Sequence, residues 1–396
     1  MTDLARQRQA REVVWTFCFL SGLLACGYGV IFTVLDDYHN TYGISEKGLG
    51  VVVGIGFLTS FLGQVTIASL ADRGHARLLV YLGLAVNALG LVLMGFGESL
   101  PALLVGRLIM GLGIGMANPA MRCIVILANR DSIGDSLGKL LAADVTGFAI
   151  GPLVSALLVP LLGLRSPFLF IAALSILAGG LAARLRVEET SDAPRERFAF
   201  DLLSDRPFAG AVVMATAVFV MIGVFDSLWA LVLDEIGASD LVANIGITVF
   251  ALPMLFLAAR GGRMAQRVGP FRVGTFGLLA GAGFMSLYGF MPSGILMVAV
   301  ALCHSINDGL TVSSTSVAAG MVAPPERQAG AHGLLGGAQT LTGGVAAFAA
   351  GFVYEEWGRQ VAYLACTGAM TVIVLFGAWL SRSAWGLKDL PGQASA

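Results

Sequence analysis

Apolar runs of about 20 residues, set off by short polar punctuation, recur from one end of the chain to the other. A helix of that length, rising about 1.5 Å per residue, matches the hydrocarbon thickness of a bilayer. The pattern predicts twelve spanning helices, over residues 13–35, 48–71, 78–96, 100–127, 137–162, 167–185, 207–232, 241–259, 271–291, 294–322, 330–353 and 361–381. One polar stretch interrupts the series. RLRVEETSDAPRERFAFDLLSDRP, residues 184–207, mixes charges of both signs and reads as a solvated linker. The expected fold class is an all-α membrane protein. Its expected organisation is an N-terminal six-helix bundle (1–185), a cytoplasmic linker (186–206) and a C-terminal six-helix bundle (207–396).

Composition agrees with this picture. The chain is 57% hydrophobic and 12% charged, where a soluble domain carries about 25% charged residues. A net charge of −1 points to no nucleic-acid partner. The five cysteines, Cys18, Cys26, Cys123, Cys303 and Cys366, lie in or beside spans without ligand-like spacing, which suits packing thiols. The start, MTDLARQRQAREVVW, is basic and runs into a long span with no small-residue cleavage site, as an uncleaved first helix would.

Charge placement adds an orientation. With the N-terminus inside, nineteen of the 24 lysines and arginines fall in inner segments, and only Lys47, Arg165 and Arg359 in outer ones. Arg107 and Arg122 lie in span 4. The positive-inside rule then makes both termini cytoplasmic, in a cell inner or plasma membrane. Asp36, Asp37, Asp234 and Glu235 read as solvated outer acids. The halves also echo one another. Gly43-Ile44-Ser45 and Gly237-Ala238-Ser239 are separated by 194 residues, as are Asp72-Arg73 and Gln266-Arg267. Parallel six-span repeats are a transporter design with the substrate site near the midplane.

The polar residues inside spans carry the candidate chemistry, because an ionisable group at bilayer depth must face a cavity or a partner. Span 4, GRLIMGLGIGMANPAMR, sets Arg107, Gly111, Gly115, Asn118 and Arg122 at helical spacing. Span 5, GKLLAADVTGFAIGPLVSA, sets Asp144, Gly147, Gly151 and Ser155 on one face, with Gly151-Pro152 positioned to bend it. Asp144 reads either as a gate or as a carboxylate balanced by Arg122. Span 7 carries Asp226 in an apolar setting with Trp229 one turn on, the tryptophan being equally readable as packing. In span 10, ALCHSINDGLTV aligns His304, Asp308, Thr311 and Thr315, with Asn307 beside them. Residues four apart on a helix are neighbours, so His304 and Asp308 read as a pair able to hold a proton. After span 2 comes ASLADRGHAR (68–77), and after span 8 GRMAQRVGPFR (262–272), both short basic loops.

These stretches resemble the major facilitator superfamily over essentially the whole chain. Family members carry G-x-L-a-D-R-x-G-R-R after span 2. Asp72, Arg73 and Arg77 match it, while Ala68 replaces the leading glycine and His75-Ala76 the later Gly-Arg. The second copy keeps Gly262, Arg267, Gly269 and Arg272, with Gln266 in place of the acid. Arg107 with Gly111 is similar to the span-4 motif linked to proton transfer. Gly138, Gly147, Gly151 and Pro152 match the span-5 antiporter spacing, though Ser155-Ala156 stands where the next glycine pair would be. The span-1 proline motif of drug exporters is absent from GYGVIFTVLDDY (27–38), which argues against a multidrug role.

The resemblance implies two six-helix bundles, related by a pseudo-two-fold axis around a central cavity that opens alternately to each side. Substrate and coupling residues are then expected among Tyr28, Arg107, Asn118, Asp226, Trp229, His304, Asn307 and Asp308. Gating is expected from Asp72, Arg73, Arg77, Asp144, Gly147, Gly151, Pro152 and Arg267. The implied activity is secondary transport, as proton-coupled export of a small organic solute. It needs no cofactor beyond the proton gradient, and no protein partner is implied for what reads as a monomer in the lipid bilayer. A proton symporter or uniporter importing a metabolite is the alternative. A membrane enzyme is the remote one: His39, His75, His304 and His332 are scattered, and H-E-x-x-H, G-x-S-x-G and G-x-x-x-x-G-K-[ST] do not occur.

Overall fold

The computed structural model describes residues 3–185, 187, 196 and 198–388. Most of the expected linker, including Arg186, Arg195 and Arg197, lies outside the described residues, as do the side chains of Arg6, Asp36 and Lys47. The described residues are helical with no strand. The helices are α1 (Asp3–Tyr42), α2 (Glu46–Thr66), α3 (Ala76–Gly95), α4 (Leu100–Ala128), α5 (Ile133–Leu162), α6 (Ser166–Ala182), α7 (Arg206–Glu235), α8 (Asp240–Val268), α9 (Pro270–Tyr288), α10 (Gly294–Thr311), α11 (Ser313–Val322) and α12 (Gln328–Leu380).

Each expected span falls on helix, with two differences of detail. Span 10 is α10 and α11 in succession, joined at Val312. Spans 11 and 12 form α12, broken at Gly358, whose φ of 78° is open to glycine. Local chemistry explains several helix starts. Ser45 caps α2 by accepting the Gly48 N–H at 3.2 Å. Pro101, Pro167 and Pro207 stand in the first turns of α4, α6 and α7, where a missing N–H costs no intrahelical bond. After α2 a 3₁₀ turn, Ala68–Arg73, ends at Gly74 with φ 78°.

Among the described residues, eight stretches are long and apolar enough to cross a bilayer on length and composition. Large apolar side chains stand outward along them: Phe348 is 83% exposed and Leu161 77%. Such surfaces would be a liability in water and are at home against lipid. This is a multi-pass membrane protein.

Packing divides the chain into two compact units. The first comprises 1–130, 143–199 and 324–337, and the second 131–142, 200–323 and 338–396. The opening turns of α5 therefore group with the second unit, and the opening turns of α12 with the first. In the first unit α3 and α4 cross backbone to backbone through glycines. A Cβ on Gly90 would lie 2.5 Å from the Met110 nitrogen, and one on Gly113 2.5 Å from the Asn87 nitrogen. Beside them Val30, Ile31, Val34, Leu91, Leu103 and Phe168 form a buried cluster. Tyr38 closes it, its hydroxyl donating to the Met94 carbonyl at 2.7 Å.

Candidate functional site

Arg107 is the most fully buried arginine described in the first unit, only 1% exposed. Its guanidinium carbon stands 4.7 Å from the Tyr28 ring centroid, and the two side chains are hydrogen-bonded. Nη1 reaches the Met110 sulfur at 3.5 Å. A side chain at Gly56 of α2 would collide with the guanidinium, so the glycine makes its berth. Among the described residues no carboxylate pairs with Arg107; an aromatic face and a hydroxyl stand in for a counter-charge. Tyr28 also packs against Phe57 and Phe148, at 5.7 and 5.8 Å between centroids. Further along α4, Asn118 is half-buried, and its Oδ1 is enclosed without a donor among the described residues.

Asp144 is half-buried on α5 and accepts a short hydrogen bond from the Ser21 hydroxyl of α1. Arg122 lies in its electrostatic reach without forming an ion pair among the described residues. One turn on, Gly147 and Gly151 bring α5 onto α1. A Cβ on Gly151 would stand 2.6 Å from the Cys26 carbonyl oxygen and 2.7 Å from the Val30 nitrogen, while Gly147 abuts the Gly22 backbone. The glycine face is thus a close helix crossing within the first unit. The chain stays helical through Pro152.

Asp72 is fully buried, and its two oxygens accept the Ala329 and Gly330 N–H groups, each at 2.7 Å. A carboxylate there satisfies two exposed donors of a helix N-terminus and complements its dipole. Gly330 must be small, since a Cβ would lie 2.9 Å from Asp72 Oδ2. Beside it Arg327 donates to the Phe198 carbonyl at 3.1 Å and faces Glu196 at 3.4 Å. Arg73 is half-buried at the end of the 3₁₀ turn. Arg77 donates to the Ala183 carbonyl and lies over the Tyr81 ring.

The second unit contains the counterpart of this latch. Gln266 Oε1 accepts the Gly134 N–H at 2.8 Å, and its Nε2 donates to the Asp131 carbonyl at 3.1 Å. The amide caps α5 as the carboxylate caps α12, and the charge has moved to Asp135, which holds Arg263 and Lys139. Arg267, the arginine matched by motif, is exposed and makes no hydrogen bond or ion pair among the described residues.

Asp226 lies on the accessible side of α7, with no hydrogen bond or ion pair among the described residues. Trp229 is 2% exposed; it stacks on Phe225 at 4.7 Å and meets Tyr288 edge-on. His304 and Asp308 are both buried, with Nε2 and Oδ2 3.5 Å apart. That is long for a hydrogen bond and short enough for strong electrostatic coupling. The Tyr288 hydroxyl meets His304 Nδ1 at 3.0 Å. Phe284 stacks on the imidazole and Phe250 meets it edge-on. Asn307 orients the carboxylate rather than the ring, donating to Asp308 Oδ1 at 3.2 Å and to the Gly277 carbonyl at 3.0 Å. Gly281 of α9 leaves the space this pair fills. Thr311 and Thr315 continue the same buried face. Among the described residues no group of three or more His, Cys, Asp or Glu is arranged to hold a metal.

Tyr288, Asp135 and Gly56 are not singled out by the sequence. Each matters through a contact with another helix, and no spacing within its own helix signals it. Gln266 is the exception, since the 194-residue offset aligns it with Asp72.

The sequence model of the Major Facilitator Superfamily matches residues 17–232 and 208–391. The multidrug resistance protein MdtG of Proteus mirabilis is 26% identical over 287 residues, covering 68% of this chain and 70% of that protein. Among solved structures, the human organic anion transporter MFSD10 (TETRAN) superposes with a TM-score of 0.77 at 18% identity, covering 93% of this chain and 99% of that one. The proton:xylose symporter XylE superposes with a TM-score of 0.76 at 13% identity, covering 97% of each chain.

Proposed function

We propose that this chain, a secondary transporter belonging to the major facilitator superfamily, expels a small organic solute in exchange for protons. It does so by alternating access between its two bundles, with both termini cytoplasmic and the proton gradient as its energy source. The observation that carries the reading is the Tyr288–His304–Asp308 array, closed off from solvent inside the second unit. An imidazole and a carboxylate in that enclosure share one proton at zero net charge. Adding or removing a proton changes the local charge by a full unit where charge is costly. Such a site can prefer different conformations in its two states, and that preference is what couples a proton to a structural cycle. Asp226, accessible and without a hydrogen bond or ion pair among the described residues, is the group placed to meet a solute or a second proton, and Arg107 with Tyr28 is the matching group of the first unit.

Export is favoured by the name of the MdtG relative and by the span-5 glycine pattern. The missing span-1 proline motif keeps the solute range narrow in this reading.

The test is transport in proteoliposomes under an imposed pH gradient. Solute movement opposite to the proton flux is expected. His304→Gln should keep solute binding and lose the dependence on the gradient, and Asp308→Asn should lose concentrative transport while retaining exchange. Movement in the same direction as the protons would establish symport instead. Wild-type gradient dependence in both variants would remove the pair from coupling.

A further inference from the structure

A second set of buried ionisable groups lies in the first unit and takes no part in the reading above. His332 stands in the second turn of α12 and is 0% exposed. Neither ring nitrogen has a hydrogen-bond partner among the described residues. An imidazole so enclosed normally finds one, because an unmade bond leaves its desolvation uncompensated. Its electrostatic neighbour is Arg122 of α4. Gly336 follows His332 by four residues and so shares its helix face. A Cβ there would lie 3.7 Å from Arg122 Nη1. The bare glycine seats the Gln64 amide, whose Oε1 such a Cβ would strike, and the guanidinium stands beside it at ordinary contact distance.

Arg122 also has a neighbour on its other side, Asp144 of α5, whose carboxylate already accepts the Ser21 hydroxyl. The guanidinium is bonded to neither Asp144 nor His332 and lies in the electrostatic reach of both. Around this trio α1 presents Ser21 and α2 presents Gln64, which bring no charge. The remaining charges at that turn of α12 are already engaged, Asp72 by Ala329 and Gly330, and Arg327 by Glu196 and Phe198.

We infer that Asp144, Arg122 and His332 form a proton-binding site of the first unit, in which Arg122 moves between two partners according to whether Asp144 holds a proton. When Asp144 is ionised, Coulomb attraction holds the guanidinium toward α5. When a proton neutralises Asp144, that attraction ends. Of the acceptors then near it, the unprotonated nitrogen of His332, which a neutral imidazole presents in either tautomer, is one that has no donor among the described residues. Arg122 then donates to it and ties α4 to the first turns of α12, the turns that Asp72 caps. No bond other than the carboxyl O–H forms or breaks covalently. The proton comes from the aqueous phase and returns to it.

The inference is independent of coupling at His304 and Asp308, and its test requires no transport. Amide hydrogen exchange of the purified protein would be followed for residues 328–337 across pH and corrected for the intrinsic exchange rate. The His304→Gln and Asp308→Asn substitutions would be present so that the second unit's pair is silent. Protection of this segment should rise about tenfold on acidification, the change one charge-assisted hydrogen bond makes in an opening equilibrium. Asp144→Asn should show the acid pattern at every pH. His332→Leu should show the alkaline pattern at every pH, while His332→Gln, whose amide oxygen still accepts, should switch as the parent does. Asp144→Asn titrating like its parent, or His332→Leu still switching, would overturn the site. Loss of switching in His332→Gln as well would reduce His332 to a packing residue and overturn its role as acceptor.

Discussion

Gln266 holds the N–H of Gly134 at 2.8 Å, and by doing so caps α5 with a neutral amide. Its repeat counterpart, Asp72, caps α12 with a carboxylate buried to 0% exposure. The two latches share a geometry and differ in charge. Removing the first costs two neutral hydrogen bonds, about 0.5–1.5 kcal/mol each, one of them to the exposed Asp131 carbonyl, whereas Asp72→Ala strands two buried N–H groups and removes a charge from a helix N-terminus. Asp72→Ala should therefore lower thermal stability clearly more than Gln266→Ala, with Asp72→Asn between them. Scanning fluorimetry of the purified variants checks the order; equal losses would mean that charge contributes nothing at Asp72.

The glycine crossing of α1 and α5 predicts a steric threshold. Gly151→Ala must displace the Cys26 carbonyl or the Val30 nitrogen by several tenths of an ångström. Gly151→Leu has nowhere to go, and overpacking of this kind costs about 1–3 kcal/mol or more. The alanine variant should fold with reduced turnover, and the leucine variant should fail to accumulate in the membrane. Normal abundance and turnover of Gly151→Leu would show that the helices separate freely at this point.

Orientation is testable on residues whose surroundings are known. Arg165 is exposed and pairs with Glu98 at 2.6 Å, and Arg267 is exposed and has no ion-pair partner among the described residues. On a cysteine-free background, Arg165→Cys should react with an impermeant thiol reagent from outside the cell and Arg267→Cys only after permeabilisation. The reverse pattern would invert the topology.

These contacts also mark where sequence reading stops. Twelve spans are legible because a bilayer imposes length and apolarity on each helix separately. The pairing of His304 with Asp308 is legible because both residues lie on one helix, four apart. Legibility ends where a side chain's role depends on the rotation of a neighbouring helix. Trp229 looks the same in sequence whatever it meets, and its stacking on Phe225 is seen only in the structure. Asp72 meets Ala329 across 257 residues, a contact that no local pattern encodes. Arg267 matches a motif and makes no hydrogen bond or ion pair among the described residues, while its neighbour Gln266 makes the bond.

Arg107 offers a sharper discrimination, because its charge and its shape can be separated. Arg107→Lys keeps the cation but lacks the planar fork that lies on the Tyr28 ring. Arg107→Ala removes both. If the buried charge serves the transport cycle, alanine should abolish solute flux while membrane abundance stays near wild type, and lysine should retain a measurable fraction. Should both accumulate normally and transport fully, Arg107 has no part in coupling.

Tyr288 matters to the second unit's pair only through its contact with His304. Its hydroxyl is the sole hydrogen-bond partner of His304 Nδ1 among the described residues, and Asp308 stands at the other nitrogen. The phenol thus fixes the ring's orientation and biases which nitrogen carries the proton. Tyr288→Phe deletes one oxygen and preserves the packing of Phe225, Trp229 and Tyr363 around the ring. The loss of a single neutral hydrogen bond, about 0.5–1.5 kcal/mol, corresponds to at most about a tenfold effect. That effect should fall on the proton-dependent step alone. Gradient-driven flux should drop by up to about tenfold, with solute affinity and gradient-free exchange unchanged. Measuring both modes on one proteoliposome preparation separates the outcomes. An equal loss in both modes would assign Tyr288 to packing. Wild-type behaviour in both would show that His304 needs no orienting partner, leaving Asp226 as the better candidate for the proton.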